Sequence, residues 1–146
     1  MRISRLQIPG VPNWVVFNGN VGRSVFEDRA DYDAMTGLVA ETSAELGVAV
    51  FAYSWLEKQG HLLVDAPLGN LGRFMQVVMT TYSKRFSIRH RRSGSVFQTR
   101  YQSVLVGGDA YLLKASRDLH RMAIRHLEPG AAQVAKGMAA LEAFPW

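Results

Sequence analysis

Two apolar segments, residues 48–56 (VAVFAYSWL) and 61–67 (HLLVDAP), stand only four residues apart, with EKQG between them. Both are short and rich in β-branched and aromatic side chains, which suits a pleated, half-buried surface better than a helix. A four-residue connection cannot carry the chain back to the start of a parallel neighbour, so the two strands must pair antiparallel. This hairpin constrains everything around it.

On its N-terminal side, residues 11–17 are apolar and extended, and NGNVGR after them has turn chemistry. Residues 27–47 (EDRADYDAMTGLVAETSAELG) then read as a helix. Acids crowd its start, Met35, Leu38, Val39, Thr42 and Leu46 recur at helical intervals, and Gly47 supplies a left-handed stop. On the C-terminal side, Leu71, Phe74, Met75, Val78, Met79, Tyr82 and Phe86 form one apolar stripe, predicting a helix that ends at His90 before the RHRRSGS turn. The pair Met75 and Met79 on this stripe reads as core filling. Residues 96–106 (VFQTRYQSVLV) alternate like a strand, closed by Gly107 and Gly108. Asp109 is expected to cap a last main helix, with Leu112, Ala115, Leu119 and Met122 facing inward and Lys114, Arg117, Arg121 and Arg125 as an outer basic ridge. Residues 131–146 read as a short alanine-rich helix closing on Phe144 and Trp146.

The order β-α-β-β-α-β-α predicts an α+β fold: a ferredoxin-like βαββαβ-type antiparallel sheet with helices on one face and an extra C-terminal helix. A chain of 146 residues that is 48% hydrophobic is expected to make one domain over residues 1–146. The absence of cysteine excludes a disulfide scaffold, a thiolate metal site and a cysteine nucleophile. No window approaches about 18 uncharged apolar residues, and the N-terminal segment lacks the apolar core of a signal peptide. A soluble, cytoplasmic protein with no membrane partner is the expectation.

Charge is unevenly placed. Residues 1–65 hold five Lys/Arg against eight Asp/Glu, whereas residues 66–146 hold twelve against four. Between Asp65 and Asp109 there is no acid, yet Arg73, Lys84, Arg85, Arg89, Arg91, Arg92 and Arg100 fall there. A solvated face normally mixes signs, so a run of one sign is better matched by a polyanion. An RNA-recognition module would carry an aromatic-rich glycine motif on a central strand, and none is present.

Four stretches, taken in order, resemble the REP-associated tyrosine transposases, a branch of the single-tyrosine HUH-endonuclease transposases: IPGVPNWVVFNGN, VFAYSWLEKQGHLLVDAP, MTTYSKRFSIRHRRSGSVFQTRYQSVLV and DAYLLKASRDLH. The resemblance runs from about Leu6 to Glu128. It implies action on single-stranded, hairpin-forming DNA. A tyrosine on the last helix would attack a backbone phosphate, and a divalent ion held by a His-hydrophobe-His pair on a central strand would polarise that phosphate. Side chains at i and i+2 on a strand share a face, so such a pair can chelate one ion.

The chain departs from that pattern at the chemical positions. Gln59 stands where the first histidine belongs, Gly60 at the spacer and His61 at the second histidine. Asp118 stands where the nucleophilic tyrosine belongs, Met122-Ala123 replace the Asn-Pro that follows it, and Trp14 replaces a histidine on the first strand. Gln59 and His61 would hold Mg²⁺ or Mn²⁺ only weakly, and no bound metal is expected. A carboxylate at 118 would repel the phosphate a nucleophile must approach, and its adduct would be a hydrolysable acyl phosphate. Its expected role is a surface ion pair with Lys114 or Arg121. Of the other tyrosines, Tyr82 falls on the apolar stripe, and Tyr111 lies two turns before Asp118.

The sequence thus predicts a transposase-family protein that binds single-stranded or hairpin DNA, with strand cleavage lost or impaired. Arg73, Lys84, Arg85, Arg89, Arg91, Arg92, Arg100, Lys114, Arg117 and Arg121 are the expected DNA contacts. Two alternatives stand beside it: a metal-dependent nuclease working through Gln59, His61 and either Tyr111 or a water, and an interaction scaffold that does not touch nucleic acid. Monomer and homodimer are both compatible with the sequence.

Overall fold

The computed structural model describes residues 8–21, 23–98 and 100–125. They form β1 (Asn13–Asn18), α1 (Arg29–Leu46), β2 (Ala49–Leu56), β3 (Gln59–Asp65), α2 (Leu71–His90), β4 (Gln102–Leu105) and α3 (Asp109–Arg125). The helix expected over 131–146 and the side chain of Arg125 lie outside the described residues.

The strands are ordered β2-β3-β1-β4, and every neighbouring pair is antiparallel. This is the split βαβ arrangement that the hairpin predicts. Helices α1 and α2 pack on one face, over Val15 and Phe17 of β1 and Leu62 and Val64 of β3. The extra helix α3 covers the opposite face, where Leu112, Ala115 and Leu119 meet Ala52, Leu63 and Trp14. Coverage on both faces explains why β3 does not alternate: all five residues from Gly60 to Val64 are buried.

The boundaries of α1 follow the expected chemistry, while the side chain of Asp109, expected to cap α3, lies outside the described residues. Asp28 caps α1 by accepting from the Asp31 N–H, while the Asp31 carboxylate accepts from the Glu27 N–H. Gly47 stops α1 with φ 67°, and Arg91 stops α2 in the same left-handed region with φ 52°, an unusual conformation for a residue other than glycine.

Three strands differ from expectation, and the first, β1, starts at Asn13, two residues later than the expected run 11–17. β3 begins at Gln59, two residues early, because the turn needs only Glu57 and Lys58. The strand expected over 96–106 survives as four residues, Gln102–Leu105, plus an isolated bridge between Phe97 and Gly19. Between them the chain turns Tyr101 into the core, and segment 95–98 is held by Asn20 and by the Asn18 carbonyl instead of by a full ladder.

Tyr82 sits at the centre of the larger core with its ring near Phe26 (5.6 Å), Phe86 (5.9 Å) and Phe97 (6.2 Å), and its hydroxyl donates to the Val25 carbonyl. Desolvation raises its pKa far above the usual phenol range. Tyr82 is therefore a core residue and not a nucleophile.

Candidate functional site

The antiparallel register places Gln59 and His61 on the α3 face of β3, two residues apart, with Ser54 of β2 and Val16 of β1 flanking His61. Trp14 lies on the same face of β1, one pair further along. Its indole Nε1–H donates to His61 Nδ1 at 3.1 Å, with the two rings edge to face at 6.1 Å. An indole nitrogen only donates, so His61 Nδ1 must accept, and the neutral ring carries its proton on Nε2.

That bond governs what His61 can do. An ion at Nδ1 would have to displace Trp14, which is packed into the apolar cluster beneath α3. An ion at Nε2 would move the ring proton to Nδ1, where it would face the indole N–H. Gln59 and His61 therefore do not fit the divalent ion that the resemblance implies. The sequence showed that a tryptophan had replaced a histidine at position 14, but gave no sign that it would bond the remaining one.

Asp118 sits half-buried on α3 and lines a cleft of about 390 Å³ together with Trp14, Tyr111 and Lys114. The expected ion pair is not formed: among the described residues, no Lys or Arg nitrogen lies within 4.0 Å of the Asp118 carboxylate. Asp118 is instead one of the residues lining the cleft. Tyr111, two turns earlier, is 67% exposed on the same cleft.

The basic residues divide into separate groups. Arg89 donates to both oxygens of Asp28 and to Asp31, at 2.6–2.7 Å. Arg92 pairs with Glu27, and His90 lies between Glu27 (3.0 Å) and Asp31 (2.9 Å). The start of α1 and the end of α2 are thus clamped together, with Asp31 only 2% exposed. Each end also suits the helix dipole it meets, carboxylates at an N-terminus and cations at a C-terminus. The Arg89 guanidinium holds the Asp28 carboxyl down at about 2. Atoms of Asp28, Asp31 and His90 converge within 4.8 Å, but Arg89 already supplies the positive charge there. The acid-free stretch is therefore partly neutralised by α1, a pairing the topology implies because the start of α1 and the end of α2 share one end of the sheet.

Seven other predicted contacts, Arg73, Lys84, Arg85, Arg91, Lys114, Arg117 and Arg121, are exposed and have no ion pair among the described residues. They do not share one groove. Arg73, Lys84, Arg85 and Arg91 belong to α2 and its cap, whereas Lys114, Arg117 and Arg121 belong to α3, across the sheet. Arg100 is exposed in the segment leading into β4.

The architecture can be placed among known structures. A REP-associated tyrosine transposase bound to a REP hairpin superposes with TM-score 0.72 at 10% identity, covering 86% of this chain and 74% of that one. The chain has a REP-type transposase fold. The crystal structure of a "putative transposase" from Deinococcus radiodurans R1 shares the fold at TM-score 0.56 and 12% identity, covering 83% of this chain and 97% of that one. No family model and no curated protein matches the sequence. On this transposase fold, the sheet face under α3 carries an indole–imidazole pair and a cleft-lining carboxylate. No described helix is long and apolar enough to cross a membrane.

Proposed function

We propose that this chain binds single-stranded or hairpin DNA through its phosphate backbone and does not carry out strand transfer. The observation that carries the reading is the α3 ridge: Lys114, Arg117 and Arg121 stand exposed, one helical turn apart, with no carboxylate partner among the described residues. Cations left in this state are matched by a phosphate backbone, which releases its counterions when they bind. The hairpin-bound transposase of like fold supports DNA as the partner.

Loss of strand transfer follows from the same face. A phosphoryl-transfer site needs an attacking group and a cation over the phosphate. By the resemblance the attacking position falls on Asp118, a carboxylate, and the Trp14 indole N–H donates to the His61 Nδ1 that the implied cation clamp would use. Mn²⁺ titrated into isotope-labelled protein is expected to leave the His61 ring resonances unbroadened. Broadening at micromolar Mn²⁺ would restore the metal-dependent reading.

Affinity for hairpin oligonucleotides, measured against salt, tests the binding itself. A steep linear fall of log K with log salt is expected. Absent or salt-insensitive binding would leave a protein-interaction scaffold as the better reading.

A further inference from the structure

We propose that the cleft between β4 and the first turns of α3 is a pocket for one unstacked nucleobase of a DNA strand, and that it selects guanine. This rests on the DNA-binding reading above and narrows it to a contact. The cleft measures about 390 Å³ and has an apolar floor formed by Trp14, Val106 and Ala115. Its rim carries Tyr111, Lys114 and Asp118, spaced three and four residues apart along one side of α3.

Each of these parts suits a base. Tyr111 presents a large aromatic surface to water, 67% exposed, and lines the same cleft as Trp14. Flat aromatic walls are what splayed-out bases stack upon. Trp14 is also fixed in orientation, because its N–H is tied to His61 at 3.1 Å. His61 thereby becomes a positioning residue for the platform.

Asp118 decides which base. Its charge repels a phosphate at that point of the rim, so the backbone cannot be what fills the cleft. A carboxylate only accepts hydrogen bonds, so its partner must present donors. Guanine offers N1–H and an N2–H side by side on its Watson–Crick edge, matching the two carboxylate oxygens. Adenine and cytosine offer one amino group there, and thymine offers a single N–H between two carbonyls that the carboxylate repels. Lys114, one turn earlier on the same rim, is placed to take the phosphate of the same nucleotide.

The test uses the full chain and hairpin DNA carrying a short unpaired overhang with one guanine, adenine, cytosine or thymine among abasic positions. The guanine overhang is expected to bind about ten-fold more tightly than the thymine overhang. Asp118→Asn should bring that ratio toward one, and Tyr111→Ala should weaken all four overhangs. Equal affinity for the four, with salt-dependent hairpin binding intact, overturns the pocket and leaves backbone binding standing. If no hairpin binds, the backbone reading fails, and a titration with deoxyguanosine and thymidine monophosphates decides the pocket. A shift of the Trp14 indole N–H signal with the guanine nucleotide alone supports it; equal or absent shifts overturn it.

Discussion

Gly60 shows how one residue couples the core to the chemical face. It stands directly opposite Phe17 across the β1–β3 pair, and the Phe17 ring lies over it so closely that any Cβ at position 60 would fall within the ring. The aromatic thus fills the space a side chain would occupy. Gly60→Ala is expected to cost about 1–3 kcal/mol by overpacking, read as a lower denaturant midpoint with an unchanged slope. A cost near zero would mean that Phe17 swings aside freely. The sequence reads Gly60 as a spacer between two candidate ligands, since the ring that dictates glycine comes from a strand more than forty residues away. The same distance hides the partnership of Trp14 with His61. Residues whose role depends on their own element, such as Gly47 and Tyr82, were legible because helical periodicity and stop chemistry are local.

At the level of elements, what holds the start of α1 to the end of α2 is electrostatic, and this gives it a pH signature. The folded-state pKa of Asp28 is lowered from 3.8 to about 2, chiefly by its hydrogen bond to Arg89. A carboxyl depressed on folding contributes stability above its unfolded pKa and loses it as pH falls toward the folded value. The contribution is therefore complete above about pH 4 and disappears between about pH 4 and pH 2. Thermal unfolding of the wild type and of Asp28→Asn, followed from pH 6 to pH 2, should show two melting temperatures that converge across that window. A gap that stays constant would assign the loss to the helix cap and not to the ion pair. The elements themselves were readable from sequence, because apolar spacing reports which face is buried. Strand β4 was the exception. Its expected eleven residues alternate correctly, yet pairing stops where the chain turns Tyr101 into the core, and alternation alone carries no information about where a partner strand ends.

Over the whole molecule, the charge asymmetry between the two halves of the sequence is only partly a surface property. Folding brings Glu27, Asp28 and Asp31 from the acidic half onto Arg89 and Arg92 of the basic half, and the partnerless cations remaining on the helices are divided by the sheet. A DNA strand cannot follow α2 and α3 together without wrapping around a sheet edge. The α2 side has its own claim, a cleft of about 390 Å³ where Thr80, Ser83 and Ser87 offer hydroxyls beside Lys84. The α3 side combines its ridge with the aromatic cleft on the same helix, and it is the side expected to hold DNA. Charge-neutralising triples separate the two. Replacing Lys114, Arg117 and Arg121 with Gln removes up to three phosphate contacts, so the slope of log K against log salt should become shallower by roughly two to three. Replacing Arg73, Lys84 and Arg85 with Gln alters net charge by the same amount and should change the slope far less. If the second triple produces the larger change, the strand lies along α2, and the cleft beside Asp118 faces away from it.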